Sequence, residues 1–306
     1  MKKVILRIVL VLIAIPLLAL VIVSVIFGIA NRTNGRIMSS GELRKYLVYV
    51  PESYNPDEPV PLVITIHGFA QWPANQMRIS QWNDLADEYG FIVVYPSGTG
   101  FPLRWRVHSE DPESGDPEKE VLFISDLIDK LEEQYNIDPN RIYANGLSNG
   151  GGMSLLLACN LSERIAAIGG VAGAYVTPLE KCNPSRAVPL IVFHGVADPI
   201  VPFHGGPSGS FDIPFPDIPI WAGDYALKNS CDLKPIILLD SGAITGVRYA
   251  DCANGTTVEF FTIVDGGHTW PGGEALPEWI TGKTSMEIDA TGLMWEFFSQ
   301  YQVDKP

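Results

Sequence analysis

The pentapeptide from Gly146 to Gly150 has the sequence Gly-Leu-Ser-Asn-Gly, which places Ser148 between two glycines. A serine in this setting can attack an acyl carbon, because a sharp turn with glycine flanks presents its hydroxyl. Residues 141–145 have the β-branched and aromatic character of a buried strand, and residues 151–159 have helix-forming character. Short glycine–serine loops are common, so the pentapeptide alone is a weak signal. Its strand–turn–helix context favours a nucleophile elbow.

A serine hydroxyl needs a base to take its proton, and the base needs an acid to hold its tautomer. After a nucleophile elbow, the acid and then the histidine follow the serine in the chain. His268 fits this order best, because it lies late in the chain, in the glycine-rich segment 265–272. The other histidines precede Ser148 or leave too little chain for an acid-bearing strand: His67, His108, His194 and His204. We therefore predict His268 as the base.

Asp198 is the predicted acid. It follows the apolar run at residues 189–194 through a short turn, and Pro199 comes next. An aspartate before a proline is also an ordinary turn signal, which is the alternative interpretation. The weaker candidates do not follow a comparable buried strand: Asp224, Asp232, Asp240 and Asp251. Asp265 is too near His268 in sequence to reach its far ring nitrogen easily.

Attack on an ester places negative charge on the former carbonyl oxygen, so hydrogen-bond donors must already point there. The residue after the nucleophile supplies one N–H, here Asn149, and the loop after an early strand supplies the other. In the loop that follows the apolar run at residues 61–67, we predict the N–H of Phe69, with Gly68 as second choice. The side chain of His67 is expected to anchor this turn.

The elements that must position these residues alternate along the chain. Apolar runs predict buried strands at residues 61–67, 91–96, 141–145, 165–171, 189–194 and 257–264, and an alternating edge strand at 44–50. Helical spacing predicts helices at residues 80–89, 120–135, 151–159 and 285–301. This order predicts an α/β protein with a mainly parallel sheet and helices on both faces, the α/β-hydrolase fold, as one catalytic domain at residues 43–306.

Residues 205–222 are dense in glycine, proline and aromatic residues and show no periodicity. The stretch is too long for a plain connection. It is therefore either a binding loop or a surface excursion packed on itself.

Residues 1–30 predict a signal peptide or a signal anchor. Three basic residues precede an apolar run at residues 8–29, which is long enough to span a bilayer as one helix. The basic flank stays in the cytoplasm, so the rest of the chain lies outside, secreted or membrane-anchored through this segment. Residues 28–30 have the small side chains that signal peptidase requires, which makes cleavage the alternative to an anchor. Residues 31–42 are polar and predict a linker.

Composition restricts the partners and the compartment. A formal charge of −14 argues against nucleic acid, because a polyanion would be repelled. Hydrophobic residues at 46% and charged residues at 18% predict a packed globular core. An even number of cysteines in an exported chain predicts disulfides, with three possible pairings of Cys159, Cys182, Cys231 and Cys252. A zinc site is less favoured because no Cys-x-x-Cys pair is present, and neither a metal nor an organic cofactor is expected.

Four segments together resemble one known family. They are His67-Gly68-Phe69, Gly146-Leu147-Ser148-Asn149-Gly150-Gly151, His194-Gly195-Val196-Ala197-Asp198-Pro199 and Gly267-His268-Thr269-Trp270-Pro271-Gly272. They resemble the secreted polyhydroxybutyrate depolymerase and feruloyl esterase family of α/β-hydrolases, over most of the chain from about residue 44 to residue 298. The resemblance implies Ser148 as nucleophile, Asp198 as acid and His268 as base, in agreement with the chain-order argument. It also implies the disulfides Cys159–Cys182 and Cys231–Cys252. Residues 205–222 depart from the family pattern, which leaves the substrate open.

The sequence thus predicts an exported serine esterase that hydrolyses carboxylic esters through an acyl-enzyme. Its substrates would be feruloyl or acetyl esters of polysaccharides, or hydroxyalkanoate polyesters and oligomers. Trp270 and Phe69 are expected to line the acyl or alcohol site, although each could belong to the core. One alternative is a serine peptidase of the prolyl-oligopeptidase type, but the propeller repeats typical of that class are not visible. The other is a non-catalytic binding domain of the same fold, a class that generally lacks a member of the triad.

Overall fold

The computed structural model describes residues 12–22, 25, 28, 32–107, 115–208 and 211–303. Its strands are β1 Gly35–Ser39, β2 Glu42–Tyr49, β3 Val60–Ile66, β4 Ile92–Pro96, β5 Ile137–Leu147, β6 Ala167–Val171, β7 Leu190–Gly195, β8 His204–Ser208, β9 Phe211–Asp217, β10 Ile236–Asp240, β11 Ile244–Tyr249 and β12 Val258–Ile263. Its helices are α1 Pro73–Ser80, α2 Trp82–Tyr89, α3 Pro117–Gln134, α4 Asn149–Asn160, α5 Ile218–Lys228, α6 Glu278–Thr281 and α7 Ala290–Phe298.

Ten of the strands form one sheet in the order β1-β2-β4-β3-β5-β6-β7-β12-β11-β10. All neighbours from β4 to β12 in this order are parallel. The pairs at the two ends of the sheet are antiparallel. Strands β8 and β9 form a separate antiparallel hairpin. Because the central strands are parallel, their carboxyl ends share one edge of the sheet, where the loops after β3, β5, β7 and β12 meet.

Helices cover both faces of the sheet, as predicted. Helices α3, α4 and α5 contribute to one apolar cluster, and α1, α2 and α7 contribute to the other. Strand β3 shows how the sheet divides the core, because Leu62 and Ile64 pack into the first cluster and Val63 packs into the second. A strand buried on both faces has no polar alternation. The α/β-hydrolase fold expected from the sequence is therefore the fold of this chain.

Several elements differ from the sequence prediction. The helix predicted at residues 80–89 begins at Trp82, because Gln81 adopts a left-handed conformation with φ 56°, and the preceding helix α1 was not predicted. Strand β1 lies within the segment 31–42 that we predicted as a linker, and it pairs with β2, so β2 is not an edge strand. Residues 205–222 contain the hairpin β8–β9 and the start of α5, and the pair β10–β11 was not predicted.

The predicted N-terminal span at residues 8–29 lies partly outside the described residues. In the part of the chain that the structure describes, no helix is both long enough and apolar enough to cross a bilayer.

Both disulfides implied by the family resemblance are present. Cys159 at the end of α4 is bonded to Cys182, and Cys231 after α5 is bonded to Cys252. The second disulfide encloses the whole β10–β11 hairpin. Closing loops with separations of 23 and 21 residues is expected to stabilise the fold by about 3 kcal/mol each.

One buried ion pair joins the sheet to α3. Arg44 in β2 and Glu120 in α3 are 2% and 0% exposed, and their N and O atoms are 2.6 Å apart. The Arg44 guanidinium also lies 4.0 Å from the centre of the Phe123 ring. Removing charges from water is unfavourable, so each member of a buried pair depends on the other.

We predict that Glu120→Gln lowers the free energy of unfolding by about 3 kcal/mol, because it removes the carboxylate that pairs with the buried Arg44 guanidinium. Urea denaturation measures this change. Glu118→Gln is the matched control, since Glu118 is exposed on the same helix, and it should cost less than about 1 kcal/mol. Equal effects of the two variants would contradict a stabilising role for the pair.

Candidate active site

The turn between β5 and α4 has the geometry of a nucleophile elbow. Ser148 has φ 56° and ψ −117°, a strained backbone conformation for a residue with a side chain. A Cβ atom on Gly150 would lie 2.1 Å from the carbonyl oxygen of Ile66, and one on Gly146 would lie 2.5 Å from the carbonyl carbon of Gly150. Glycine is therefore required at both positions, because α4 passes close to β5 and β3.

Main-chain hydrogen bonds hold Ser148 in this turn. Its N–H donates to the carbonyl oxygen of Val171 at 2.9 Å, and its carbonyl oxygen accepts from the N–H of Ala174 at 2.9 Å. Both partners belong to the end of β6 and the loop that follows it. The nucleophile candidate is thus fixed to the neighbouring strand through its backbone, which leaves its hydroxyl for chemistry.

Asp198 and His268 form a buried hydrogen-bonded pair. His268 Nδ1 lies 2.8 Å from Asp198 Oδ2, and both residues are about 6% exposed. The other oxygen of Asp198 accepts from the N–H groups of Ile200 and Val201, each at 2.8 Å. The predicted acid and base are therefore brought together.

The environment of Asp198 favours its ionised form. Burial is the largest single effect and raises the pKa of the carboxyl, but the charge of His268, its hydrogen bond and the other neighbouring groups together lower the pKa below its ordinary value. His194 and the N–H of Ile200 act in the same direction. A carboxylate at this position can orient the imidazole and stabilise its protonated form.

The loop that carries His268 is held by a second loop beside it. The N–H of Gly267 donates to the carbonyl oxygen of Lys283 at 2.9 Å, and the N–H of His268 donates to that of Thr281. A Cβ atom on Gly267 would lie 2.2 Å from the Thr281 oxygen. This close approach explains the glycine before His268.

Ser148, Asp198 and His268 follow β5, β7 and β12, whose carboxyl ends lie at the same edge of the sheet. The hydrogen bonds among the described residues include the Asp198–His268 pair but none between His268 and the Ser148 hydroxyl. Catalytic hydrogen bonds are often long in the absence of substrate and shorten in the substrate complex.

His194 has a structural place beside Asp198. Its Nε2 lies 3.0 Å from the carbonyl oxygen of Val201 and 3.5 Å from Asp198 Oδ2. Burial lowers the pKa of His194, which favours the neutral ring. From the end of β7, His194 therefore supports the loop that carries Asp198.

The loop after β3 contains the predicted oxyanion donor Phe69. The N–H of Gly68 donates to Gln71 Oε1 at 3.2 Å, and the N–H of Ala70 donates to the carbonyl oxygen of Leu103 at 2.8 Å. Because the N–H of Gly68 is already bonded to Gln71, Gly68 is poorly suited to serve as the donor. The Phe69 side chain is 38% exposed and stays a candidate for substrate contact.

His67 anchors this turn, as its position suggested. Its Nδ1 lies 2.7 Å from the carbonyl oxygen of Gly68, and its Nε2 accepts from the N–H of Gly98 at 3.0 Å. The ring is therefore the neutral tautomer with its proton on Nδ1. Burial lowers the pKa of His67 to about 4, so it carries no charge at neutral pH.

The side chain of Asn149 has a role that sequence reasoning missed. Its Oδ1 accepts from the N–H of Trp105 at 2.7 Å, and its Nδ2 donates to the Trp105 carbonyl oxygen at 3.1 Å. The Trp105 indole N–H in turn donates to the carbonyl oxygen of His67 at 3.0 Å. We call these contacts of Asn149, Trp105 and His67 the Asn149 clamp. It joins the elbow to the loops after β3 and β4.

Trp270 lies in the core. It is 1% exposed, and its indole N–H donates to Thr291 Oγ1 at 2.8 Å. This position supports the core alternative over the predicted role in lining the acyl or alcohol site, because a buried indole committed to α7 presents no surface to a ligand.

A cavity of about 660 Å³ lies beside the hairpin β8–β9. Its walls are residues 175–180, residues 214–217 and the outer face of α5. Ser148, Asp198 and His268 do not line it. Among the described residues, no group of three or more His, Cys, Asp or Glu side chains is arranged to bind a metal ion.

Comparison with known proteins identifies the family. The family model for the esterase PHB depolymerases matches residues 44–196. This chain belongs to that family. Feruloyl esterase B of Piromyces equi is 30% identical over 237 residues, which are 74% of this chain but only 42% of that protein. Feruloyl esterase C of Emericella nidulans is 26% identical over 272 residues, which are 87% of each chain.

A solved structure agrees with the fold. Acetyl xylan esterase from Aspergillus awamori superposes with a TM-score of 0.55 at 15% identity, over 74% of this chain and 92% of that chain. This likeness shows the α/β-hydrolase fold. Family membership and the relatives together establish this member of the family as a carboxylic ester hydrolase.

We predict that the pH dependence of stability reports on His67. Its folded pKa lies below its unfolded value near 6.5, so between these values the unfolded chain binds the proton and stability falls as pH falls. Lowering the pH from 7 to 5 should cost about 2 kcal/mol through this residue alone. The loss of unfolding free energy between pH 7 and pH 5, measured by urea denaturation, should be smaller by that amount in His67→Gln than in wild type.

His204→Gln is the matched control for this experiment, since the His204 side chain is 76% exposed. It should keep the wild-type dependence on pH. If the stability of His67→Gln depended on pH as strongly as that of wild type, the assignment of His67 as a neutral buried residue would be contradicted.

We predict that Asn149→Ala lowers kcat/KM for p-nitrophenyl acetate about 100-fold, since the clamp positions the main-chain donor at the elbow and small displacements there are costly. Steady-state kinetics measure the change, which should fall mainly on kcat. Asn160→Ala at the other end of α4 is the control and should stay within about twofold of wild type. Equal activity of the two variants would mean that the Asn149 clamp does not position the donor.

Proposed function

We propose that this esterase uses Ser148 as nucleophile, His268 as base and Asp198 as the acid that orients the base. The observation that carries the proposal is the buried hydrogen bond between His268 Nδ1 and the ionised Asp198, 2.8 Å long. This bond places the Nδ1 proton toward Asp198 and leaves Nε2 as the basic nitrogen. The strained turn at Ser148 supports the assignment of the nucleophile, because such strain is a property of nucleophile elbows.

The proposed reaction has two halves. His268 Nε2 takes the proton of Ser148 as its Oγ attacks the ester carbon, and the negative oxygen accepts from the N–H groups of Phe69 and Asn149. The protonated imidazole then gives its proton to the leaving alcohol, and an acyl-enzyme remains on Ser148. Water attacks this ester with His268 again acting as base, which releases the acid and restores the serine.

The position of Asn149 supports its part in this reaction. It is the first residue of α4, so its N–H has no partner within the helix. The helix dipole adds partial positive charge at this end. Both effects favour an anion beside Ser148.

We propose aromatic or acetyl esters of polysaccharides as the substrate class, with hydroxyalkanoate oligomers as the second class. Feruloyl esterases that share 26–30% identity with this chain support the first, and the family description supports the second. We also propose that the enzyme acts outside the cytoplasm, since its two disulfides are typical of an oxidising compartment.

We predict that Ser148→Ala retains less than about one part in 10⁴ of the wild-type kcat on p-nitrophenyl acetate, because no acyl-enzyme can form. Ser154→Ala is the matched control. Its buried hydroxyl donates to the carbonyl oxygen of Gly150 in the same helix, and its loss should change kcat less than about threefold. Ser148→Ala activity above a few per cent of wild type would contradict the proposal.

We predict that Asp198→Asn lowers kcat about 10⁴-fold, because an amide no longer holds the reactive tautomer of His268. Asp217→Asn, at the N-terminus of α5, is the control and should keep near wild-type kcat.

The substrate class is tested with wild type by comparing kcat/KM on methyl ferulate, acetylated xylo-oligosaccharide and hydroxybutyrate oligomers. A preference for a peptide amide over all three esters would overturn the proposed class.

A further inference from the structure

Strand β10 is an edge of the ten-stranded sheet with an unusual surface. It pairs with β11 on one side, and no described residue pairs with it on the other. Its side chains at Ile236, Ile237, Leu238 and Leu239 are 54%, 66%, 38% and 38% exposed. Consecutive residues of a strand point to opposite faces, so apolar side chains face outward on both faces of this edge.

Natural edge strands usually carry features that prevent pairing with another chain, such as an inward charge, a lysine or a proline. The apolar residues 236–239 have none of these, whereas Lys234 and Pro235 lie just before the strand and Asp240 ends it. The register of β10 against β11 shifts between Ile237 and Leu239. This mild irregularity is another feature that can oppose pairing with a further strand. At the opposite edge of the sheet, β1 carries the charged Arg36 in its interior. The β10 edge is therefore the one suited to a partner strand.

The occupant must supply hydrogen bonds as well as apolar surface. An edge strand presents main-chain N–H and C=O groups, and lipid chains cannot satisfy them. Another strand satisfies both requirements, because it continues the ladder and packs its side chains beside the exposed ones.

The charges near the two ends of β10 indicate which strand its partner is. Lys234 lies in a bend two residues before the strand, Asp240 is the last residue of the strand, and both are exposed. Among the described residues, neither takes part in an ion pair. If two copies of the segment pair antiparallel with Ile237 opposite Ile237, and the pairing continues through Pro235, Lys234 of each copy lies opposite Asp240 of the other. The segment is thus complementary to itself about a two-fold axis.

We propose that two copies of this chain associate through β10, with antiparallel pairing centred on Ile237, so that their sheets join into one. The pairing buries the apolar edge and forms two Lys234–Asp240 ion pairs. The disulfide Cys231–Cys252 closes the base of the β10–β11 hairpin and gives it a defined shape before association.

The test uses cysteine cross-linking of the full chain, purified in a mild non-ionic detergent. Residues paired across antiparallel strands have Cα atoms about 4.5–5.5 Å apart, within the range of a disulfide. The native cysteines are all in disulfides, so a new cysteine is the only free thiol. Ile237→Cys should form a covalent dimer on mild oxidation. Ile220→Cys is the matched control, since Ile220 is 64% exposed on α5, and it should stay monomeric on a non-reducing gel.

Charge reversal tests the register in the same background. Lys234→Glu or Asp240→Lys alone places like charges opposite each other twice, and should weaken association about tenfold or more in sedimentation velocity. The double variant Lys234→Glu with Asp240→Lys should restore it. Hydrolysis of p-nitrophenyl acetate should be unchanged in all of these variants, which shows that they are folded.

Cross-linking of Ile237→Cys no faster than that of Ile220→Cys would overturn the proposal. Cross-linking that is insensitive to both single charge reversals would overturn the proposed register and pairing. Dimers that persist in Ile237→Lys would show that another surface joins the copies, and would also overturn it.

Discussion

The close passage of α4 over β5 and β3 is the constraint on which the site depends. The helix can begin directly after Ser148 only because Gly146 and Gly150 have no side chains to meet the neighbouring backbone. This passage forces Ser148 into its strained conformation and sets its N–H against Val171 of the next strand. The energy of that strain is offset by burial of α4 in the core.

The remaining parts of the site are loops fixed by buried polar contacts. Asp198 is held by two main-chain donors and His268, while the Asn149 clamp joins the elbow to the loops after β3 and β4. Buried polar groups without partners are costly, so such networks favour a single arrangement. The same principle explains why His67 is neutral, since both of its ring nitrogens are satisfied only in one tautomer.

Much of the candidate site could be predicted from the order of residues in the chain and from their positions at strand ends. In a parallel sheet the residues after successive strands meet at one edge, so Asp198 after β7 and His268 after β12 could be chosen without coordinates. The Asn149 clamp could not, because the amide of Asn149 meets Trp105 through a loop contact 44 residues away in sequence. Strand β1 was missed because its formation depends on pairing with β2, whereas the prediction relied on the polarity of residues 31–42. Strand β10 was missed because its apolar run is only four residues long, and the break at Gln81 has no signal in helix propensity.

The most direct measurement of the central claim is a crystal structure of the enzyme inactivated by an alkyl fluorophosphonate, whose adduct resembles the tetrahedral intermediate. The account predicts phosphorus on Ser148 Oγ, with His268 Nε2 within about 3.2 Å of that oxygen. It also predicts the phosphonyl oxygen within about 3.1 Å of the N–H groups of Phe69 and Asn149. An adduct on another residue, or an imidazole of His268 more than about 4 Å from Ser148 Oγ, would contradict it.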